Sequence, residues 1–507
     1  MTDYLIQYWP IIILTVIYLF ICLGIGWYFK LKASRGVSEY YLAKREIPGW
    51  VISLAFFSTF ASSNTYIGQA GQAFKYGLSW AWVGFFWAIF CVISWLVLGP
   101  KMRFQTAVLN SNTIPDYFQF RYKSDLSRTI RLLSAFVILF ATMWYMVGIA
   151  KGSAHVIQSV MDIPYEWGAI VIVGVTFLYT SWGGMYSVLW TDAIQGIMMF
   201  AVAIIMVMIP FIYVGGVGNL FEIIENTSHP DVNGAPIGNG LVSFGMLVSF
   251  FYILGIGLAV GMKQIAEPRC LIRFYSVDNA KSMRFAMIWT PVFLGISLIC
   301  VMGLGALVHG MTTPEEAAFL VNNTDQVVGF MLQKFDNRLV SGVVIAGLFA
   351  AGMSSLASVM LIVGTAFIGD IWHVIKPLKP NQVILSTKLA MFVYCLIVLL
   401  FTLNPPAGIV ELTAFSGAVF AASFFPSIFG GLYLKWGTDM GSIASMITGI
   451  LATVIWRFGL RFEIDGLQDI HEVMPAFAIS SIVYWVVSKA TAHRIPDQKH
   501  LQVLFKN

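Results

Sequence analysis

The sequence predicts an all-α polytopic membrane protein that crosses the bilayer with about thirteen helices. Of the 507 residues, 58% are hydrophobic and 11% are charged, whereas a soluble domain has roughly 25% charged residues. The mean hydropathy is +0.79. Apolar runs of about 20 residues, the length that crosses a bilayer, recur along the chain with short connections. This composition excludes a soluble domain.

The predicted spans are numbered one to thirteen in chain order, and the whole chain, 1–507, is expected to form one transmembrane domain. The spans run over 9–29, 47–73, 79–100, 130–160, 165–185, 188–215, 241–275, 285–309, 339–372, 386–404, 408–434, 438–457 and 473–489. Residues 1–46 add an N-terminal helix and a cytoplasmic loop. Residues 438–507 add C-terminal helices and a short cytoplasmic tail.

Lysine and arginine predict the orientation in the membrane. The loops after spans one and three are rich in both residues, whereas 217–240 contains neither. This topology places 24 of the 30 basic residues on one side of the membrane, which we call the basic side. The six exceptions are Lys75, Lys151, Lys334, Arg338, Arg457 and Arg461. Positively charged loops remain cytoplasmic. We therefore expect a plasma-membrane protein with its N-terminus outside and its C-terminus inside, and no nucleic-acid partner.

A polar tract interrupts span two. The stretch STFASSNTYIGQAG, residues 58–71, lies within an apolar segment that is long enough to cross the bilayer. Its mid-membrane hydroxyl and amide side chains are Ser58, Thr59, Ser62, Ser63, Asn64 and Thr65. Each such group costs several kcal/mol when hydrocarbon leaves it without a partner. The tract is therefore expected to face a polar cavity or another helix.

Spans seven and nine are irregular as well. The second half of span seven reads GIGLAVGMKQIAEP, and its glycines and Pro268 predict a break. Span nine contains AAGMSSLAS, a second hydroxyl cluster at mid-depth. Spans two and seven are five apart, which predicts a 5+5 inverted repeat with halves 47–215 and 241–434. A pair of interrupted helices in corresponding positions marks the binding site of a secondary transporter.

Spans two and nine together offer uncharged oxygen ligands. Ala351, Ser354 and Ser355 share one helix face by their i, i+3, i+4 spacing. Two hydroxyls and one main-chain carbonyl there, with the carbonyls of Ser58 and Ala61, would form a shell for a monovalent cation. Hydroxyls alone are a poor cage for a divalent ion. The alternative is close helix packing, with each serine bonded to its preceding turn.

These segments resemble the sodium/solute symporter family, which includes proline, pantothenate, monocarboxylate, sugar and sialic acid carriers. The resemblance covers nearly the whole chain. It rests on YYLAKREIPGW (40–50), the polar tract of span two, TIPDYFQFRY (113–122), YTSWGGMYSVLWTDAIQG (179–196) and AAGMSSLAS (350–358). It implies an inverted-repeat fold of the amino-acid-transporter type. It also implies Na⁺ as the coupling ion, held by the carbonyls of Ser58, Ala61 and Ala351 and the hydroxyls of Ser354 and Ser355.

Asp192 lies near the start of span six on the basic side. One interpretation is a carboxylate that the dipole of a helix N-terminus stabilises. The resemblance instead places Asp192 on the exit path of the ion, and in some members this position forms a second sodium site with hydroxyls of span nine. Ser358 is present for that role, but Ala357 beside it has no hydroxyl. The sequence therefore predicts the second sodium site less strongly than the first.

The candidate substrate residues come from spans two and seven. Ser62 and Thr65 match positions that contact substrate in the sialic acid carriers. Lys263 and Gln264 lie at the predicted break of span seven, where the proline carriers have glycine and tyrosine. A buried lysine pairs well with a substrate carboxylate. In the alternative interpretation Lys263 ends span seven, extends to the cytoplasm and pairs with Glu267.

The sequence thus predicts a sodium-coupled symporter that imports a small polar solute by alternating access. A carboxylate-bearing solute is favoured: a monocarboxylate, pantothenate or an amino acid. The alternative is a proton-coupled carrier, or a sugar or sialic acid symporter of the same fold. A channel would need a polar lining through the whole membrane, and an enzyme would need a nucleophile–base pair or clustered metal ligands. The expected partners are the solute, Na⁺ and the lipid bilayer, without an obligatory protein partner.

Overall fold

The computed structural model describes residues 2–226, 241 and 247–505. Within these residues the secondary structure is helical, apart from an isolated β-bridge between Ile47 and Val277. Eleven of the described helices are long and apolar enough to cross a membrane. The all-α polytopic fold class is therefore confirmed. The count of thirteen crossings stays a prediction, because Asn64–Val108 and Tyr165–Tyr213 each join parts of two predicted spans.

The helices correspond to the predicted spans in order, although some of their ends differ by several residues. Spans one to six comprise Thr2–Ala33, Gly49–Phe60, Ala70–Tyr76, Ala81–Ile93, Gly99–Val108, Ser127–Met161 and Tyr165–Tyr213. Spans seven to thirteen comprise Phe250–Gly261, Lys263–Ala266, Pro268–Ser276, Ala280–Val308, Arg338–Thr365, Pro380–Leu403, Ile409–Tyr433, Asp439–Ile455 and Val473–Ala490. Short helices in the connections include Val37–Leu42, Ile114–Arg121, Val217–Asn226, Pro314–Asn322, Val327–Phe335 and Gln498–Leu504.

Spans nine and eleven form the centre of the helix bundle. In their most apolar windows, 94% and 89% of the residues are buried, against 28% in span one and 22% in span twelve. A helix that is apolar on all sides and buried inside the protein packs against other helices rather than lipid. The hydroxyl cluster of span nine therefore lies in the protein interior.

Spans two and seven run in opposite directions. The Ile47 amide donates to the Ser276 carbonyl at 3.1 Å, and the Asp278 amide donates to the Ile47 carbonyl at 3.2 Å. The beginning of span two therefore lies beside the end of span seven, as an inverted repeat requires. The division into halves 47–215 and 241–434 stays a prediction.

The predicted start of span seven at Leu241 is wrong. Leu241 lies in a turn, residues 242–246 fall outside the described residues, and the helix begins at Phe250. The Leu241 carbonyl accepts a hydrogen bond from the Leu78 amide at 2.7 Å, and its side chain packs against Leu220 and Ile224. These long-range contacts hold Leu241 in the connection between spans six and seven. Its apolar side chain alone does not distinguish this position from one inside a membrane span.

A sharp change of direction at Gly184 separates spans five and six. The Tyr165–Tyr213 helix has 49 residues, more than twice the length of one crossing. Gly184 has φ 52° and ψ −142°, a conformation that residues with a side chain rarely adopt. A methyl group at this position would lie 2.7 Å from the Tyr40 carbonyl. Glycine is therefore required here for both backbone conformation and space.

We expect Gly184→Ala to lower the thermal stability of the detergent-purified protein. The strained backbone costs on the order of 1–3 kcal/mol, and the contact with Tyr40 adds to it. Gly174→Ala is the matched control, because this position in the same helix has no neighbour within 4 Å. Equal unfolding temperatures for both variants and the wild type would contradict the assignment.

Candidate functional site

Span two is broken at the polar tract, as predicted. The helix Gly49–Phe60 ends at Ala61, whose backbone is extended (φ −75°, ψ 95°), and helical structure resumes at Asn64. The Thr65 amide donates to the Ser62 carbonyl at 2.8 Å, and the Ser62 amide donates to the Thr65 hydroxyl at 3.3 Å. The two predicted substrate residues thus cap the break.

The hydroxyls of span nine contact the main chain just before this break. Ser354 Oγ donates to the Ser58 carbonyl at 2.9 Å and to the Ala351 carbonyl at 3.2 Å. Ser355 Oγ donates to the Thr59 carbonyl at 3.0 Å, a contact that the sequence did not predict. Among the candidate oxygens, Ser354 Oγ thus contacts the carbonyls of Ser58 and Ala351. The bond to Ala351 is also the bond to the preceding turn that close helix packing predicts, so the ion site stays a prediction.

Asp192 and Ser358 are brought together, and Thr59 joins them. Asp192 Oδ2 accepts from Ser358 Oγ at 3.1 Å and from Thr59 Oγ1 at 3.0 Å. Asp192 is fully buried and lies about two turns beyond the kink at Gly184. Its interpretation as a carboxylate at a helix N-terminus is therefore wrong.

The partner of Asp192 is Arg273, a residue that the sequence pattern did not single out. Arg273 Nη2 lies 2.6 Å from Asp192 Oδ2, and both side chains are fully buried. The same nitrogen donates to Thr59 Oγ1 at 2.6 Å and to Ser358 Oγ at 2.5 Å. This one guanidinium group of span seven thus connects spans two, six and nine.

Arg269, one turn before Arg273, was also missed. Arg269 Nη1 donates to the Thr59 carbonyl, and Arg269 Nε lies 2.8 Å from Glu267 Oε1. The sequence signal was present, since two arginines four residues apart share one helix face within a membrane span. They had been assigned to the basic side, although the structure buries them between helices.

Lys263 is buried in the same region. Its Nζ lies 4.1 Å from the centroid of the Tyr145 ring, and the guanidinium of Arg269 lies 4.0 Å from that centroid. Gly417 of span eleven leaves room for the chain, because a methyl group there would lie 3.0 Å from Lys263 Cε. The interpretation of Lys263 as a residue that extends to the cytoplasm and pairs with Glu267 is wrong. Glu267 pairs with Arg269 instead.

Lys263 Nζ has no hydrogen-bond acceptor among the described residues. Gln264, next to it, donates through Nε2 to the Trp87 carbonyl at 2.7 Å, which turns this side chain toward span three. The Tyr145 hydroxyl is buried and has no hydrogen-bond partner among the described residues. Tyr145 of span four therefore contacts both buried cations through its ring.

A network of ion pairs lies on the basic side of this site. Arg131 of span four lies 2.6 Å from Asp116 Oδ1 and donates to Asp370 Oδ1 at 2.9 Å. Thr113 Oγ1 donates to the same Asp370 oxygen at 2.8 Å. The network ties the connection after span three to the ends of spans four and nine. Thr113 and Asp116 belong to the TIPDYFQFRY motif, so the motif has a structural role here.

Two broken helices that meet at buried polar and charged groups in a helical membrane bundle define a secondary transporter. Solved structures share this fold. A Na⁺-coupled sialic acid symporter, described in a substrate-bound outward-open state, superimposes with a TM-score of 0.73 at 17% identity, covering 96% of this chain and 98% of the other. A nucleobase-cation-symport-1 family transporter superimposes with a TM-score of 0.51 at 11% identity, covering 93% and 98%.

The chain belongs to the sodium:solute symporter family, whose sequence model matches residues 40–449. It is 27% identical to the osmoregulated proline transporter OpuE of Bacillus subtilis, over 95% of both chains. It is 26% identical to the sodium/proline symporter of Staphylococcus aureus, over 95% of this chain and 93% of the relative. The protein is therefore a multi-pass membrane transporter rather than an enzyme, and Na⁺ is its coupling ion.

We expect Glu267→Gln to destabilise the protein, because it leaves the buried Arg269 without its carboxylate. Breaking a buried ion pair from one side costs about 3–5 kcal/mol. Glu46→Gln is the control, since Glu46 pairs with Lys32 at 3.7 Å on the surface, where a pair contributes about 0–1 kcal/mol. Thermal unfolding in detergent measures both variants. A Glu267→Gln protein as stable as Glu46→Gln would show that the pair is dispensable.

Proposed function

We propose that this symporter imports a small organic solute that carries a carboxylate, across the plasma membrane by alternating access. The observation that carries the proposal is the Lys263 ammonium, which is buried beside the break of span seven without an acceptor among the described residues. A buried charge without a partner costs several kcal/mol, so a ligand of opposite charge binds there favourably.

The charges of the surrounding cluster support an anionic ligand. The described groups that face one another are the cations Lys263, Arg269 and Arg273 and the carboxylates Asp192 and Glu267. Each carboxylate is paired with an arginine. A protonated Lys263 would be the excess positive charge, and one solute carboxylate would balance it.

The substrate site would lie between the two breaks. Lys263 would bind the carboxylate, and the Ser62 hydroxyl and Gln264 Oε1 would offer polar contacts to the rest of the solute. Gln264 Oε1 has no partner among the described residues. Thr65 would act mainly by shaping the break, since its hydroxyl already accepts from the Ser62 amide. Monocarboxylates, pantothenate and amino acids are the solute classes that fit. Proline itself is disfavoured, because Lys263 and Gln264 stand where the proline carriers have glycine and tyrosine.

The sodium site would use the carbonyls of Ser58, Ala61 and Ala351 and the hydroxyls of Ser354 and Ser355. The contact of Ser354 Oγ with the Ser58 carbonyl at 2.9 Å supports this assignment. Five uncharged oxygens would hold a monovalent ion weakly enough to release it. Sodium would fix the broken span two beside span nine, and by linkage each ligand would strengthen the binding of the other by the same factor.

Import requires that the basic side face the cytoplasm and open during the cycle. The network of Thr113, Asp116, Arg131 and Asp370 would then separate to release solute and ion inward. A tenfold sodium gradient supplies about 1.4 kcal/mol for each ion that enters. Asp192 and Ser358 would lie on the exit path of the ion, directly below the sodium site.

The closest alternatives are proton coupling, and a sugar or sialic acid as solute. Proton coupling would need Asp192 or Lys263 to titrate. Asp192 is already paired with Arg273 at 2.6 Å, so Lys263 is the group that this alternative would use. Thermal-shift screening of amino acids, monocarboxylates, pantothenate, sugars and sialic acid, with and without Na⁺, identifies the solute class. We expect sodium-dependent stabilisation by an acid. Stabilisation by a neutral sugar alone would contradict the carboxylate proposal.

Uptake of the stabilising acid into proteoliposomes should stop when choline replaces Na⁺ at fixed pH. A protonophore should leave sodium-driven uptake largely unchanged, because the sodium gradient supplies the energy. Accumulation that persists in choline and collapses with the protonophore would replace sodium coupling by proton coupling.

Ser354→Ala and Ser355→Ala should each raise the Na⁺ concentration for half-maximal uptake. Loss of one hydroxyl ligand costs about 1–1.5 kcal/mol, which corresponds to roughly tenfold. Ser341→Ala on the same helix serves as the control, because Ser341 lies outside the candidate site. Unchanged sodium dependence in both variants would remove these hydroxyls from the ion site.

Lys263→Met should weaken solute affinity by about 10²-fold, because a buried charge–carboxylate contact contributes about 2–3 kcal/mol. Half-maximal Na⁺ should change much less, since Lys263 is not an expected sodium ligand. Lys281→Met, at an exposed position, is the matched control. An unaltered KM for the acid in Lys263→Met would exclude the lysine from the substrate site.

A further inference from the structure

Arg273 Nη2 occupies a compact cage of three oxygens. Its distances are 2.6 Å to Asp192 Oδ2, 2.6 Å to Thr59 Oγ1 and 2.5 Å to Ser358 Oγ. The three oxygens belong to spans six, two and nine, whereas the arginine belongs to span seven. All four side chains are buried.

The cage oxygens also lie close to one another. Thr59 Oγ1 and Ser358 Oγ are 3.2 Å apart, and they lie 3.0 and 3.1 Å from Asp192 Oδ2. One carboxylate and two hydroxyls are ligands that alkali ions accept. Arg273 Nη2 already lies 2.5–2.6 Å from all three oxygens. A metal ion bound to the same three oxygens would overlap this nitrogen, so the guanidinium and the ion would exclude each other.

We infer that Arg273 is a built-in cation that takes the place of a second sodium ion, so that the transporter binds one Na⁺ per cycle. The inference rests on the proposed sodium-coupled function. The arginine supplies the positive charge that Asp192 needs in a low-dielectric interior. Because this charge is fixed to span seven, it is not carried across the membrane. The absence of a hydroxyl at Ala357, beside Ser358, agrees with a site that no longer needs a full set of ion ligands.

Equilibrium binding of radioactive ²²Na⁺ to the purified protein, at pH 8.5 in a choline background, counts the bound ions. We expect one Na⁺ per chain in the wild type and in Arg273→Lys, which keeps the cation. We expect two in Arg273→Met, because an ion then balances Asp192. The double variant Asp192→Asn/Arg273→Met should return to one, since it removes both charges.

Two bound ions in the wild type, or a single ion in a monodisperse and folded Arg273→Met protein, would overturn the inference. If Arg273→Met does not fold, the sodium-to-solute flux ratio of the wild type decides. A ratio of one supports the inference, and a ratio of two contradicts it. Absence of sodium binding by the wild type is a different result, because it would refute the sodium-coupled function itself.

Discussion

The contact between Arg273 and Asp192 determines how the central helices meet. An unpaired charge is costly in the membrane interior, so each of these two side chains needs the other. They pair at 2.6 Å, and this contact holds spans six and seven together. Thr59 and Ser358 join the same nitrogen, which fixes span two against span nine. Ser354 and Ser355 lie one turn before Ser358, and their hydroxyls reach the main chain of span two at that level. The candidate sodium oxygens are therefore positioned by an ion pair below them.

Near the break of span seven, the buried cations do not all have a carboxylate partner within the described part of the chain. Glu267 satisfies Arg269, while Lys263 contacts the face of Tyr145 and has no acceptor among the described residues. Tyr145 contacts both cations through its ring, at 4.1 Å from Lys263 and 4.0 Å from Arg269. Arg269 also donates to the Thr59 carbonyl, which accepts from Ser355 Oγ as well. The proposed solute and sodium sites would thus be joined through two side chains.

The basic side is held by a second set of buried charges. Arg131 links Asp116 and Asp370, so the connection after span three and the end of span nine are fixed together. Span nine joins this network to the candidate ion site, because Ser354 and Asp370 belong to one continuous helical segment.

The sequence by itself determined which segments are long and apolar enough to cross a membrane, that spans two and seven break, and that Ser354 and Ser355 share a face. These features follow from local composition, from glycine and proline, and from helical periodicity. Only the tertiary structure decided the partners of the charged residues: Arg273 with Asp192, Arg269 with Glu267, and Lys263 with the ring of Tyr145. A cation near the end of a span has the same sequence pattern whether it extends to water or turns inward. The choice depends on which faces of distant helices meet, and local sequence does not contain that information.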